Sequence, residues 1–278
     1  MADRGELRTE AALPFIAERD ATGEVAELYA EIRQTLSLPV VNLIWRHFAS
    51  IDGGLRWAWD TLRPVYASGA AEQAAAHLVA GLSLPRLTPV PGAVLRGAGV
   101  SDSERATVLA ILDSYNRGNA LNICALSALL VQPSGQPRGG RRLPSIPQPA
   151  VAVPGVKALD EFPPEVQALI WELNVLGQTP GDTVLATAYK HLAPWPGLLS
   201  LTWALIAPMQ RDGSLAALVE YSARAARAEA ARLGHLKAAV GDSPAAPAVR
   251  AAALHFVERV IGRMIPIVQM LRRALPEN

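Results

Sequence analysis

Two asparagines stand three residues apart in Tyr115-Asn116-Arg117-Gly118-Asn119-Ala120, at the edge of an otherwise apolar run. Asparagine is a mediocre helix former, because its amide competes for nearby backbone groups, so it needs a reason to be there. Two uses are open. The amides can cap a helix over Ala120–Val131 and make polar contacts to another segment, or they can hold a substrate carboxylate or a water. Asn42 and Arg46 lie one helical turn apart, as do Thr187 and His191. Each pair reads either as a satisfied network or solvated face, or as the polar lining of a pocket. Trp59 and Trp203 read as core anchors. Cys124 is the single cysteine, which excludes an intramolecular disulfide and a thiolate metal cluster, and it reads as a small core residue. The five histidines lack metal-ligand spacing, so no metal site is expected. There is no Gly-rich phosphate loop, no His-Glu-x-x-His helix and no nucleophile elbow.

These residues sit in a sequence that repeats itself. His47-Phe48-Ala49, Gly53, Leu55, Trp59, Leu62 and Pro64 recur as His191-Leu192-Ala193, Gly197, Leu199, Trp203, Ile206 and Pro208, at a constant offset of 144 residues without a gap. Arg46 pairs with Lys190 and Trp45 with Tyr189 in the same register. A repeat this long is a duplicated domain rather than a solenoid unit. The expected architecture is all-α: two similar helical repeats, 1–131 and 156–278, packed as an internal pseudo-dimer and joined by a Pro-, Gly- and Arg-rich linker over 132–155. A pocket between such halves has two non-equivalent walls.

The elements follow from periodicity. Val25, Leu28, Tyr29 and Ile32 give the i, i+3, i+4, i+7 pattern of an amphipathic helix over Ala21–Leu36, and Val166, Leu169, Ile170 and Leu173 repeat it over Pro163–Leu176. Pro39 and Pro180 precede the next helices, expected over Val41–Ser50 and Thr183–Ala193. After short turns come the Trp-bearing helices, expected to stop at Pro64 and Pro208. Ala-rich helices follow over Ala70–Leu82 and Leu215–Leu233. Ser101 with Glu104 forms a capping-box start for a helix through Asp113, ahead of a second helix over Asn119–Val131. Ala246–Leu275 is its counterpart, with a kink expected at Pro266. No strand-like alternation is found.

Composition excludes several function classes. Half of the 278 residues are apolar and 18% are charged, which suits a packed core rather than disorder. A net charge of +1, with arginines scattered rather than striped, gives no footprint for nucleic acid. The apolar runs Ala120–Val131 and Leu198–Met209 fall short of the roughly 20 residues that span a bilayer. The polar start MADRGELRTE is not a signal peptide, so a cytoplasmic protein is expected.

The order of these motifs resembles a known family. An amphipathic helix is followed by a Pro-led helix ending Arg-x-x-Ala, then x-Gly-x-Leu-x-x-x-Trp and the Asn-x-Gly-Asn of Asn116–Asn119. A linker and a second copy carrying Ala-x-Trp-Pro (Ala193–Pro196) complete it. This resembles the group I 2-haloacid dehalogenases, which act on both D- and L-2-haloacids. The resemblance implies an all-α duplicated fold of the alkylhydroperoxidase-D-like type, with an active site between the repeats and no metal or organic cofactor. It implies hydrolysis of a 2-haloacid to a 2-hydroxyacid by direct water attack at the α-carbon, without a covalent ester intermediate. The family's active-site Asn matches Asn119. Its water-activating carboxylate sits in a Ser-Asp-aromatic triplet that matches Thr187-Ala188-Tyr189, so the base position is vacant at Ala188. Thr187 and Tyr189 would line the pocket, with Val41 and Asn42 facing them from the first repeat. The partner implied is a small carboxylate, neither nucleic acid nor membrane, with a homodimer as an open assembly. The alternatives are a divergent member acting on another small carboxylate or apolar ligand, and a non-catalytic structural or interaction protein.

Overall fold

A computed structural model describes residues 13–132, 152–179, 182 and 184–275. They form α-helices, short 3-10 turns and one π turn, with no strand among the described residues. The linker expected over 132–155 lies outside the described residues from 133 to 151.

The first half contains α1 (Gly23–Leu36), α2 (Leu43–Phe48), α3 (Gly54–Ala67), α4 (Ala70–Ala80), the short α5 (Gly92–Gly97) and α6 (Asp102–Leu130). The second contains α7 (Pro164–Asn174), α8 (Thr187–Leu192), α9 (Pro196–Asp212), α10 (Ser214–Gly234), α11 (Ala246–His255) and α12 (Ile261–Ala274), with a π turn at Phe256–Val260 joining the last two. Helix starts recur at the sequence offset: 43 and 187, 70 and 214, 102 and 246. Long α6 lies at the centre, packed against α10, α12, α4 and α11. Its middle is buried almost all round, from Gly118 to Leu129.

Three expectations are corrected. The helix read as two pieces around Tyr115–Gly118 is continuous from Asp102 to Leu130, so Asn116 and Asn119 are interior residues and cap nothing. Its start carries the expected box: Ser101 N–H donates to Glu104 Oε2 at 3.0 Å and Glu104 N–H to Ser101 Oγ at 3.3 Å. Gly118 is there for close approach. A Cβ at that position would stand 2.8 Å from both terminal atoms of the Asn42 amide. The Trp-bearing helices do not stop at their prolines either, since Pro64 and Pro208 lie inside α3 and α9. Proline removes one N–H from the ladder, and the residues beyond Pro64 compensate by burying Val65 and Tyr66. Finally, the helix expected from Thr183 begins at Thr187. Asn174 prevents an earlier start: its Oδ1 accepts the Ala186 N–H at 2.9 Å and its Nδ2 donates to the Val184 carbonyl at 3.1 Å, which holds 184–186 extended.

Trp59 is fully buried, edge-on to Trp45 at 5.5 Å and stacked on Tyr66 at 5.9 Å. Trp203, its repeat mate, is 39% exposed, so it does not anchor the core. The reason lies in the partners. The positions matching Trp45 and Tyr66 are Tyr189 and Gln210, and the Gln210 side chain is used to accept the Gly177 N–H at 2.9 Å.

Candidate active site at the seam of the two halves

The short helices α2 and α8 meet beside α6, and two adjoining chambers with a partly shared lining lie there. The outer is a cavity of about 450 Å³ and the inner about 40 Å³. Asn42, Leu43, Tyr115 and Thr187 line both. Asn119 and Ala188 line the inner chamber alone, among the apolar side chains of Ile44, Phe256, Val260, Ile261 and Met264. Val41 lines the outer chamber. Tyr189 lines neither. One residue beyond Ala188 on α8, it turns away by about 100°, is buried, and approaches Arg263, with its hydroxyl oxygen unbonded. Burial pushes the Tyr189 phenol up to about 12, with the Arg263 charge opposing. Asn116 lines neither chamber.

Arg46, Lys190, Lys157, Arg33 and Arg19 surround the outer chamber, against one carboxylate, Glu18. Glu18 is already engaged: Oε2 accepts from Arg33 Nη1 and Oε1 from the Val41 N–H, both at 2.7 Å. Arg46 is different. It is only 8% exposed, forms no ion pair among the described residues, and leaves its Nε unbonded. Its Nη2 donates to Thr187 Oγ1 at 3.2 Å across the seam, and its guanidinium sits 5.2 Å from the Phe15 ring. Lys190 Nζ reaches the same ring at 5.9 Å. A buried cation without a counter-charge is costly, so a cavity wall that holds one is built to take an anion.

Two chain segments close the outer chamber, and a histidine ties each down. His47 Nδ1 bonds the Pro14 carbonyl at 2.7 Å, and His191 Nε2 bonds the Pro154 carbonyl at 2.7 Å. His191 Nδ1 lies 3.3 Å from the Tyr115 hydroxyl. Burial, the largest influence, lowers His191 to about 4; the Pro154 bond opposes this and the Arg46 charge adds to it.

Behind α2 and α8 the halves use different polar chemistry. In the first, Asn122 Oδ1 accepts from Trp45 Nε1 at 3.1 Å and Tyr66 OH at 2.8 Å, while its Nδ2 donates to Asn42 Oδ1 at 3.0 Å. Asn42 therefore spends its amide on α6 rather than on capping α2. In the second, Asp182 and Arg263 form an ion pair at 3.4 Å with both side chains fully buried, and Arg263 also donates to Asn174 and the Val184 carbonyl. Among the described residues, no group of three His, Cys, Asp or Glu side chains is arranged to hold a metal ion. No helix of the described residues is long and apolar enough to cross a membrane.

Sequence reasoning brought together Asn119, Thr187, Val41, Asn42 and Ala188, and missed Tyr115, Phe15 and the segment 153–158. The signal that pointed to this wall was Arg46, a charge within the largely apolar helix Leu43–Phe48.

No family model matches the chain. It is 30% identical over 217 residues to a configuration-inverting 2-haloacid dehalogenase of Alcaligenes xylosoxydans xylosoxydans, covering 74% of this chain and 72% of that one. A second configuration-inverting 2-haloacid dehalogenase, from Pseudomonas sp. (strain 113), is 28% identical over 202 residues, covering 68% of this chain and 65% of the relative. Among solved structures, a D-2-haloacid dehalogenase mutant and a complex of D-2-haloacid dehalogenase with L-LA each superpose with a TM-score of 0.76 at 18% identity, covering 96% of this chain and 97% of theirs. These show the same fold. On the identity and span of the curated relatives, the chain belongs to the 2-haloacid dehalogenase family.

Proposed function

We propose that the chain hydrolyses 2-haloacids to 2-hydroxyacids, with water attacking the α-carbon directly and inverting it, the stereochemical course named for both relatives. The observation that carries this reading is Arg46, a buried guanidinium that faces an open chamber and lacks a carboxylate partner among the described residues. A substrate carboxylate would complete it, with the Thr187 hydroxyl alongside. The inner chamber, at about 40 Å³, exceeds the ~10–15 Å³ that a cavity needs to hold a water. In this reading the Asn119 amide holds that water. Val41 and Asn42 wall the site from the first half, and Tyr189 supports α8 from behind. The partner is a small carboxylate, and the reaction needs no metal or organic cofactor.

The architectural expectations belong to the same reading. The recurring helix starts support two repeats, 1–131 and 156–278, joined by 132–155 and related as an internal pseudo-dimer of the alkylhydroperoxidase-D-like type. A cytoplasmic protein, able to pair into a homodimer, is the setting proposed for it. Ala188 favours a second reading, a member that binds a 2-substituted carboxylate without hydrolysing it. The open chamber argues against a purely structural role.

The test is halide release from D- and L-2-chloropropionate by the wild type, Arg46→Met and Ala188→Asp. Release by the wild type is expected. Hydrogen bonds to charged groups are worth about 1.5–3 kcal/mol, so Arg46→Met should lower kcat/KM roughly 10- to 100-fold. Silence from the wild type, with the protein folded, overturns the hydrolytic reading, and release by Ala188→Asp alone would show that only the base is missing. Binding of 2-chloropropionate that needs Arg46 but yields no halide leaves the second.

A further inference from the structure

A reaction of this kind needs a proton acceptor at the inner chamber, and the described residues supply no carboxylate there. Asp182 is tied to Arg263 and lines neither chamber, and Glu18 gives its oxygens to Arg33 and the Val41 N–H. Tyr115 remains. It is buried, it lines both chambers, and it shares the inner one with Asn119 and Ala188.

The hydrogen-bond directions around Tyr115 are fixed by one atom. The Pro154 carbonyl can only accept, so at 2.7 Å His191 Nε2 carries the ring hydrogen. In a neutral ring Nδ1 then bears the lone pair, and the Tyr115 hydroxyl, 3.3 Å away, donates to it. The phenol oxygen keeps its lone pairs free to accept, on a residue that lines both chambers.

We infer that Tyr115, backed by His191, takes the proton of the attacking water in place of a carboxylate at position 188. This inference rests on the hydrolytic reading above. As the water oxygen bonds to the α-carbon, the carbon–halogen bond breaks and the halide leaves with its electron pair. One water proton passes to Tyr115 Oη while the tyrosine's own proton passes to His191 Nδ1. The imidazolium then returns its proton to solvent by the same route, so one acid and one water give one hydroxyacid, one halide and one proton. The groups facing His191 suit the task. Burial and Arg46 lower it to about 4, with the Pro154 bond opposing. It is neutral at pH 7 and so has a lone pair to receive the proton. Tyr115 is the catalytic residue here and His191 acts through it.

The experiment measures kcat and KM for halide release from 2-chloropropionate with four proteins: wild type, Tyr115→Phe, Ala188→Asp and the double variant. A positioned base supplies about 10²–10⁴ in rate, so Tyr115→Phe should lose at least 10²-fold in kcat with KM changed less than about threefold. The double variant should recover to within about tenfold of Ala188→Asp, because an aspartate at 188 makes the hydroxyl dispensable. A merely structural tyrosine would not be rescued this way. Unchanged kcat in Tyr115→Phe, or a double variant as slow as Tyr115→Phe, overturns the inference. A silent wild type with an active Ala188→Asp overturns it together with the hydrolytic reading, whereas unchanged kcat in Tyr115→Phe overturns it alone. Silence from all four overturns both.

Discussion

The helices that carry Trp59 and Trp203 share a pattern of histidine, glycine, leucine, tryptophan and proline, yet one indole is fully buried and the other 39% exposed. The difference arises from neighbours rather than from the helices. α3 packs on α1, α6 and α11, and Trp59 meets Trp45 and Tyr66. α9 packs mainly on α7 and α10, and its aromatic partners are absent. The same asymmetry runs through the polar interior, where neutral Asn122 serves the first half and the charged Asp182–Arg263 pair serves the second. What the halves do keep in common is the pair of histidines that hold chain segments over the site. The recurring sequence pattern thus keeps its two histidine anchors while the residues packed around them differ.

The sharpest way to break this comparison is to truncate both indoles. Trp59→Ala should cost about 3–5 kcal/mol, as large buried aromatics do. Trp203→Ala, at a position 39% exposed, should cost only about 1 kcal/mol. Urea denaturation of the two variants would refute the asymmetry if the costs were alike.

Next in size is a pH effect confined to the second half. His191 is held near 4 in the folded protein, against 6.5 for an ordinary histidine. The folded chain therefore binds fewer protons than the unfolded chain across that window, and its stability falls as pH drops from about 6.5 towards 4. The full shift is worth roughly 3 kcal/mol. Chemical denaturation at several pH values should show that slope, and His191→Gln should reduce it.

The smallest contrast is between the two polar interiors. Asp182→Ala leaves Arg263 charged, buried and uncompensated, at a cost of about 3–5 kcal/mol. Asn122→Ala strands the Trp45 and Tyr66 donors, which costs about 1–3 kcal/mol. Equal losses in thermal or urea unfolding would show that the charged pair is less desolvated than its burial implies.

The helical class and the recurring register were legible in the sequence because they follow from local periodicity and from rare residues repeated without a gap. The continuity of α6 was not. Asparagines and a glycine normally punctuate a helix, and only the Asn42 amide pressed against Gly118 explains them. Trp203 misled for the same reason, since a residue's type says nothing about whether its partners are present. Half of the pocket was readable as polar residues in apolar helices. The Arg46–Thr187 contact joins positions far apart in the chain, and the Tyr115–His191 bond needs α6 and α8 to meet, so neither has a local signature.

The two histidines grip carbonyl oxygens of the segments that cover the outer chamber, not their side chains. Backbone carbonyls are present whatever residue is encoded. The cover can therefore change its side chains, Phe15 and Val156 among them, while its position over the site is kept. Substrate range can evolve through mutations in the cover alone, with the helices and their buried networks left intact.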